Sequence, residues 1–251
     1  MSGDMYNEGL KGVGPIPPAQ GIYQMSATQM APLGHRVAFS DGRVFRYAKA
    51  GGTDLVAGKV VTPSAINLDT NKNIETTSAI GSYEITVSTA AARTTSEGGF
   101  VCINDGTGQG LMYRIKTAVA GTTATSTNFT LYDPIATATV AGTDEAIILA
   151  NPYLDLVLAH ATIDAPTGIS PIAVTAAYYF WVQTWGIAMV LCGSTAQTEG
   201  SMLTYSTTDG AVSTYAATAT SLILTTPIIG YQYGAAAVDT EYFPIYLQIT
   251  P

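Results

Sequence analysis

The sequence predicts an all-β protein: a short-stranded sandwich or barrel, in one or more domains, preceded by an extended N-terminal arm. Three observations carry this. Five-residue runs that alternate apolar and polar residues recur at roughly ten-residue spacing between Gly, Asn and Asp turns, the pattern of sandwiches and barrels. No stretch keeps a helical period over three turns. Finally, Tyr178 to Cys192 reads Tyr-Tyr-Phe-Trp-Val-Gln-Thr-Trp-Gly-Ile-Ala-Met-Val-Leu-Cys and holds both tryptophans. Aromatic and β-branched residues fit a pleated surface packed against neighbours. The run predicts two short strands, or one strand bent at Gly186, with both faces covered. Gln183 and Thr184 interrupt it, and it falls short of the roughly 20 apolar residues of a membrane helix, so no membrane partner is expected.

The arm comes first. Residues 1–33 contain Gly12-Val13-Gly14-Pro15-Ile16-Pro17-Pro18, Gly21-Ile22-Tyr23-Gln24-Met25 and Met30-Ala31-Pro32. Proline fixes its own φ, removes a donor and pushes its predecessor to extended geometry. Yet Ile16, Ile22, Tyr23 and Met25 exceed what a solvated linker needs. Two readings follow: a tail packed along its own domain, or an arm that orders on a neighbouring subunit. With Asp4 and Glu8 and no apolar core, residues 1–10 lack an export pattern, so synthesis in a cytoplasm is expected.

Residues 34–164 are expected to form a β-rich domain. Gly34 to Gly51 predicts a hairpin turning at Ser40-Asp41-Gly42. Arg43 and Arg46 fall on opposite faces of its second strand, where they serve either as solvated charges or as ion-pair contacts to an acidic subunit. A short strand is expected within Leu55–Thr62, and a long polar surface loop over 63–80. Strands follow around 83–87, 100–103, 112–116, 128–132 and 146–149. A Pro/Gly-rich link, Ala165 to Pro171, sets a soft boundary. Residues 165–251 then form a C-terminal β-rich section packing on the first. Its strands are expected in the aromatic run and near 201–205, 221–225, 228–233 and 242–250, with Pro244 at a sheet edge or strand start.

Charged residues make up only 11 % of the 251, and the net charge is −8. A surface this poor in charge suits a subunit that shares faces with others, since charge is depleted in interface cores. Nucleic-acid binders show basic patches; here Arg43, Arg46 and Lys49 are the only basic cluster, so no direct nucleic-acid contact is expected. Cys102 and Cys192 sit in apolar runs as small hydrophobes, although a bridge between them stays open.

A search for catalysis finds little. His35 and His160 lack metal-ligand spacing and read as structural or surface residues. No Gly-x-Ser-x-Gly elbow occurs. Asn104-Asp105-Gly106-Thr107-Gly108-Gln109-Gly110 reads as a β turn, or as a cation loop near Asp105 that lacks the further carboxylates of a calcium loop. No enzyme, cofactor or resident metal is expected.

Several segments carry a resemblance. Ser40-Asp41-Gly42-Arg43-Val44-Phe45-Arg46-Tyr47-Ala48-Lys49-Ala50-Gly51 resembles tailed-bacteriophage structural proteins. So do 104–110 with Tyr113-Arg114-Ile115-Lys116, and Tyr179-Phe180-Trp181-Val182-Gln183 with Gly186-Ile187-Ala188. The last third, ending in an Ile-Gly-Tyr segment, looks like capsid cement or decoration proteins. The resemblance spans most of 33–251 and leaves 1–32 unmatched. It implies a β-rich, often trimeric protein on the outside of the phage head, bridging major capsid subunits, with no catalytic residues to carry over. The expected partners are the major capsid protein and further copies of itself, as a homotrimer, and the expected location is the virion surface. Ile16, Ile22, Tyr23, Met25, Arg43, Arg46, Trp181 and Trp185 are the expected capsid or subunit contacts, the aromatic run serving as core or trimer interface. A head-fibre or adhesin module binding host-surface glycans is the alternative, and it calls for an exposed aromatic cluster.

Overall fold

The computed structural model describes residues 20–123, 125–160, 165–193, 198–215, 226–234 and 238–251. It is all-β: its regular elements are strands, in two curled antiparallel sheets that each form a half-barrel. No helix among the described residues is long and apolar enough to cross a membrane. The chain divides into two compact units, 1–64 with 153–251, and 65–152. That division differs from the expected one at 164/165. Residues 34–64 and 165–251 contribute strands to a single sheet, and the middle of the chain forms the second unit.

The first unit is built on ten strands: β1 (Arg36–Ala38), β2 (Val44–Lys49), β3 (Lys59–Pro63), β10 (Leu156–Leu158), β11 (Gly168–Ser170), β12 (Tyr179–Leu191), β13 (Met202–Tyr205), β14 (Val212–Thr214), β15 (Gly230–Gln232) and β16 (Tyr242–Gln248). Their order is β10-β3-β11-β12-β16-β15-β13-β14, with the β1–β2 hairpin joined to β12. The hairpin turns where Asp-Gly predicts, with Gly42 at φ 87°. The aromatic run is one long strand, β12, with a bulge between Gln183 and Trp185. Its first half pairs with β2 and its second half with β16.

Two expectations for this unit change. The Pro/Gly-rich link contains β11, laid between β3 and β12. Gly168 permits this, because a Cβ there would overlap the Gln183 carbonyl oxygen. Pro244 sits inside the sheet, opposite Met189, rather than at an edge. Its carbonyl accepts from the Tyr233 amide (3.2 Å), on the side where β15 has already ended at Gln232. A residue's N–H and C=O point the same way in a strand, so the missing donor costs no bond to β12. Strand β14 went unforeseen, and the strand expected at 221–225 lies outside the described residues.

The second unit holds β4 (Asn67–Asn73), β5 (Glu84–Ser88), β6 (Phe100–Asp105), β7 (Met112–Ala120), β8 (Ser126–Leu131) and β9 (Glu145–Leu149), ordered β4-β9-β6-β7-β8-β5. A bridge between Ile74 and Val87 ties the two ends of this row. Ile85, Val101, Ile115, Phe129 and Ile148 fill its core. Within the polar loop expected over 63–80, residues 67–73 form strand β4. Its polar composition is tolerated because the buried Asp69 carboxylate accepts from Arg93 Nε (2.6 Å) and the Ala90 amide (2.9 Å). A buried charge persists only when paired in this way.

The close approach at Gly168 is directly testable. Gly168→Ala should destabilise the protein by about 1–3 kcal/mol through overpacking. Gly52→Ala, where an added Cβ meets nothing within 4 Å, should be nearly neutral. Equal thermal midpoints for the two variants would sink the close-approach account.

Candidate interaction face

The second half of β12 pairs residue for residue with β16: Trp185 with Gln248, Ile187 with Tyr246, Met189 with Pro244, Leu191 with Tyr242. Strand side chains alternate between faces. Ala188, Val190, Phe243, Ile245 and Leu247 therefore enter the core with Leu203 and Ile229, while the intervening residues form the other face. The row continues across the sheet. Tyr246 opposes Tyr231, and Tyr231 opposes Met202. One line of side chains, Ile187–Tyr246–Tyr231–Met202, thus crosses four strands without a charge.

Aromatic contacts order this face. Tyr231 stacks on Tyr246 with centroids 5.3 Å apart and rings 10° from parallel. Trp185 meets Tyr246 edge-on at 6.1 Å, and Tyr233 leans on it at 6.3 Å. Such pairs contribute about 0.5–1.5 kcal/mol beyond the area they bury. Met189, Met202, Tyr233 and Tyr242 are each about half exposed. Contiguous exposed apolar surface is where interaction sites are found, which makes this face a candidate.

Beside it lies an open groove of about 500 Å³, lined by Tyr23, Arg43, Gly58, Pro171, Ile187, Met189 and Tyr242, among others. Arg43 does not offer a free charge there. Its Nε donates to Asp41 (2.7 Å), its Nη1 lies 3.4 Å from the Tyr23 hydroxyl, and its guanidinium covers Phe39 and Phe45. Partial burial pushes the Asp41 carboxyl up, but hydrogen bonds from the Arg43 amide and side chain outweigh this and hold it below its ordinary value.

The expected contact residues separate into distinct groups. Ile16 lies outside the described residues. Ile22 and Trp181 are buried in their own unit with Val37, Phe45 and Tyr47, so neither is available to a partner. Trp181 is core. Arg46 is partly buried: its guanidinium lies over Tyr153, and its Nη atoms donate to Gly34 O (3.3 Å) and, at the surface, to Pro251 O (3.2 Å). Tyr23, Met25 and Trp185 remain at least partly accessible, and of these Tyr23 lines the groove and Trp185 the aromatic face.

The described part of the arm, 20–33, packs on its own unit. Gln20 is the pin. It accepts from Tyr47 Oη at its side-chain oxygen (2.7 Å), donates through Nε2 to Gln24 O and Tyr179 O, and takes the Trp181 Nε1 bond at its carbonyl (2.8 Å). The Met30 amide donates to the same Tyr47 hydroxyl. Burial pushes the Tyr47 phenol above its ordinary value, against the Met30 bond.

Elsewhere, the loop at 104–110 is organised by a carboxylate within the protein. Buried Asp144 accepts from the Thr107 amide (2.9 Å) and the Val140 amide (2.8 Å). Asp105 accepts from the Gly106 amide. No group of three or more His, Cys, Asp or Glu among the described residues could hold a metal ion. His160 Nδ1 meets Asp209 Oδ1 at 2.5 Å on the surface, and His35 sits edge-on to Trp181. Cys102 is partly buried and Cys192 is buried in the first unit's core.

Sequence reasoning missed Ile187, Met189, Tyr231, Tyr242, Tyr246 and Met202 as face residues. The signal for two of them, Tyr242 and Tyr246, lay in the alternation of the closing strand. The Ile-Ala-Met-Val-Leu stretch of β12 is apolar at every position, so parity alone could not say which side faces out.

Gln20→Ala should cost about 1–3 kcal/mol, because buried partners lose their hydrogen bonds, whereas the exposed Gln29→Ala should be silent in denaturant unfolding. The pH dependence has a definite sign. Tyr47 titrates higher folded than unfolded, so its contribution is complete below the ordinary tyrosine value of about 10 and is lost as pH rises through the raised one. Tyr47→Phe should flatten that alkaline limb; an unchanged limb would remove Tyr47 from the account.

Set against protein-family models, curated proteins and solved structures, the chain has no match in any of the three.

Proposed function

We propose that this is a viral structural protein, a capsid cement or decoration protein of a tailed phage. In this reading it binds the outside of the head as a homotrimer and stabilises contacts between major capsid subunits. The observation that carries the reading is the uncharged row Ile187–Tyr246–Tyr231–Met202 with Trp185 beside it. Its composition is that of an interface core, rich in Tyr, Trp and Met and empty of charge. A stable protein contact buries about 1,200–2,000 Å², and repetition over a shell multiplies its effect. The sequence resemblance to cement proteins supports the same reading.

A second reading, a head-fibre or adhesin module for host-surface glycans, is favoured by the Tyr231–Tyr246 stack, which offers a flat ring to a sugar. Sugars also need convergent polar groups, as small-molecule sites generally do. On this face Gln248 is the one amide in the paired row, which weighs toward a protein partner.

The test is co-sedimentation with expanded capsid shells that lack the protein, for the unaltered chain and for Tyr231→Glu with Met202→Glu. The unaltered chain should pellet at a fixed ratio to capsid subunits, and the double variant should stay in the supernatant with its melting curve intact. Failure of the unaltered chain to pellet would end the capsid reading, and saturable binding on a glycan array would then favour the adhesin.

A further inference from the structure

We infer that Asp105-Gly106 is a self-modification site, at which the Gly106 amide nitrogen closes on the Asp105 side-chain carboxyl and the chain reopens as an isoaspartyl link. The pair lies at the end of β6, in the glycine-rich stretch 104–110. The acceptor of the Gly106 amide is the Asp105 carboxyl itself, with the nitrogen 2.8 Å from Oδ1. Cγ is one bond from that oxygen, and near-attack arrangements hold reacting atoms about 3–3.5 Å apart. Gly106, at φ +83°, has no side chain to shield its nitrogen. Asp105 is exposed, so water reaches it. The chemistry needs no co-reactant but that water. The nitrogen bonds to Cγ of the carboxylic acid, the Cγ–OH bond breaks, and the amide proton leaves with the hydroxyl as water. Water then opens the five-membered succinimide. Attack at Cγ restores the aspartyl link. Attack at the Asp105 main-chain carbonyl leaves the chain running through Cγ, one methylene longer.

The sequence holds two other Asp-Gly pairs, Asp41-Gly42 and Asp209-Gly210, and the fold protects both. The Gly42 amide donates to Phe39 O (3.0 Å) and the Gly210 amide to Ala159 O (2.8 Å), so each nitrogen is engaged away from its own carboxyl. The Asp41 carboxylate also accepts from the Arg43 amide (3.0 Å) and Nε (2.7 Å). Burial pushes this carboxyl up, but the bonds from Arg43 outweigh that and hold it below its ordinary value, in the ionised form that cannot release water. Asp209 Oδ1 is engaged by His160 Nδ1 at 2.5 Å. The same dipeptide thus stands in three environments, and one of them aims the nitrogen at the carboxyl. The change also has a contact to act on. Gly106 lies against buried Asp144, where an added Cβ would overlap Oδ1, and that oxygen accepts from the Thr107 amide (2.9 Å). An extra methylene just before Gly106 pulls this bond out of register. The inference does not depend on the capsid reading.

The test is prolonged incubation of the folded full-length protein in heavy-oxygen water, followed by digestion and peptide mass spectrometry. Each opening of a succinimide places one heavy oxygen at the site, and fragmentation across the Cα–Cβ bond separates isoaspartyl from aspartyl. Asp105 should take up label at least about tenfold faster than Asp41 or Asp209, the scale on which positioning changes rates, and its isoaspartyl form should accumulate. Unfolded in urea, the same chain should label all three pairs at similar rates. Asp105→Glu, which must close a larger ring, should abolish labelling at 105 and leave the other two sites as they were; its exposed position lets the variant fold, which a matched melting curve confirms. Equal rates at the three sites of the folded protein overturn the inference, as does label appearing first at Asp41 or Asp209 or at none of them. An Asp105 lead of the same size in the unfolded chain overturns it too, because sequence rather than the folded loop would then direct the reaction.

Discussion

The first unit depends on one strand changing partners. β12 gives its first half to β2 and its second to β16; the change is made at Trp185, which pairs with both, beside Gly186, whose φ is +87°. L side chains rarely adopt that conformation. Space forbids a side chain as well: a Cβ there would come within 2.9 Å of Arg43 Cα and the Gly42 carbonyl. The tip of the β1–β2 hairpin therefore rests directly on the backbone of the longest strand. Before the bend, Phe180 and Val182 fill one core and Trp181 another, so both faces are covered. After it, one face is core and the other open. The same residue thus separates the part of β12 that stabilises from the part that presents a surface.

What was legible in the sequence followed from periodicity and turn chemistry. The Asp41-Gly42 hairpin, five strands of the second unit and the left-handed glycine at 186 all carry local signals that the fold respects. Three features did not. β4 is polar along most of its length and looks like a loop until Arg93, twenty-four residues on, supplies the partner for Asp69. β11 hides in a segment whose proline and glycine content argues for a linker, because the reason for Gly168 is a carbonyl fifteen residues away. The grouping of residues 34–64 with 165–251 is set by long-range pairing, which composition cannot express.

The candidate face was half legible. Trp185 and Tyr23 were singled out by residue type, and both lie at the surface the structure presents. Trp181 and Ile22 were singled out on the same grounds and are core. A tryptophan in an apolar run signals burial against something. Only the register with β2 and the bond to Gln20 decide that the something is the chain itself. The scarcity of charge, by contrast, translated directly: the row across four strands is uncharged because few charged residues exist to interrupt it.

The entry and exit of the middle unit have a consequence of their own. Pro63 and Leu156 are opposite one another in the β3–β10 ladder, and the Ser64 amide donates to Asp155 O. Residues 64–155 therefore leave and return at one rung of an antiparallel ladder, as a hairpin loop does, and carry the whole middle unit. The gap they bridge is one that two turn residues could close. The middle unit is thus a cassette: the ten-strand sheet has a ready-made port at this rung, where a different insert, or a short turn, could be accepted without disturbing β12 or the face it carries.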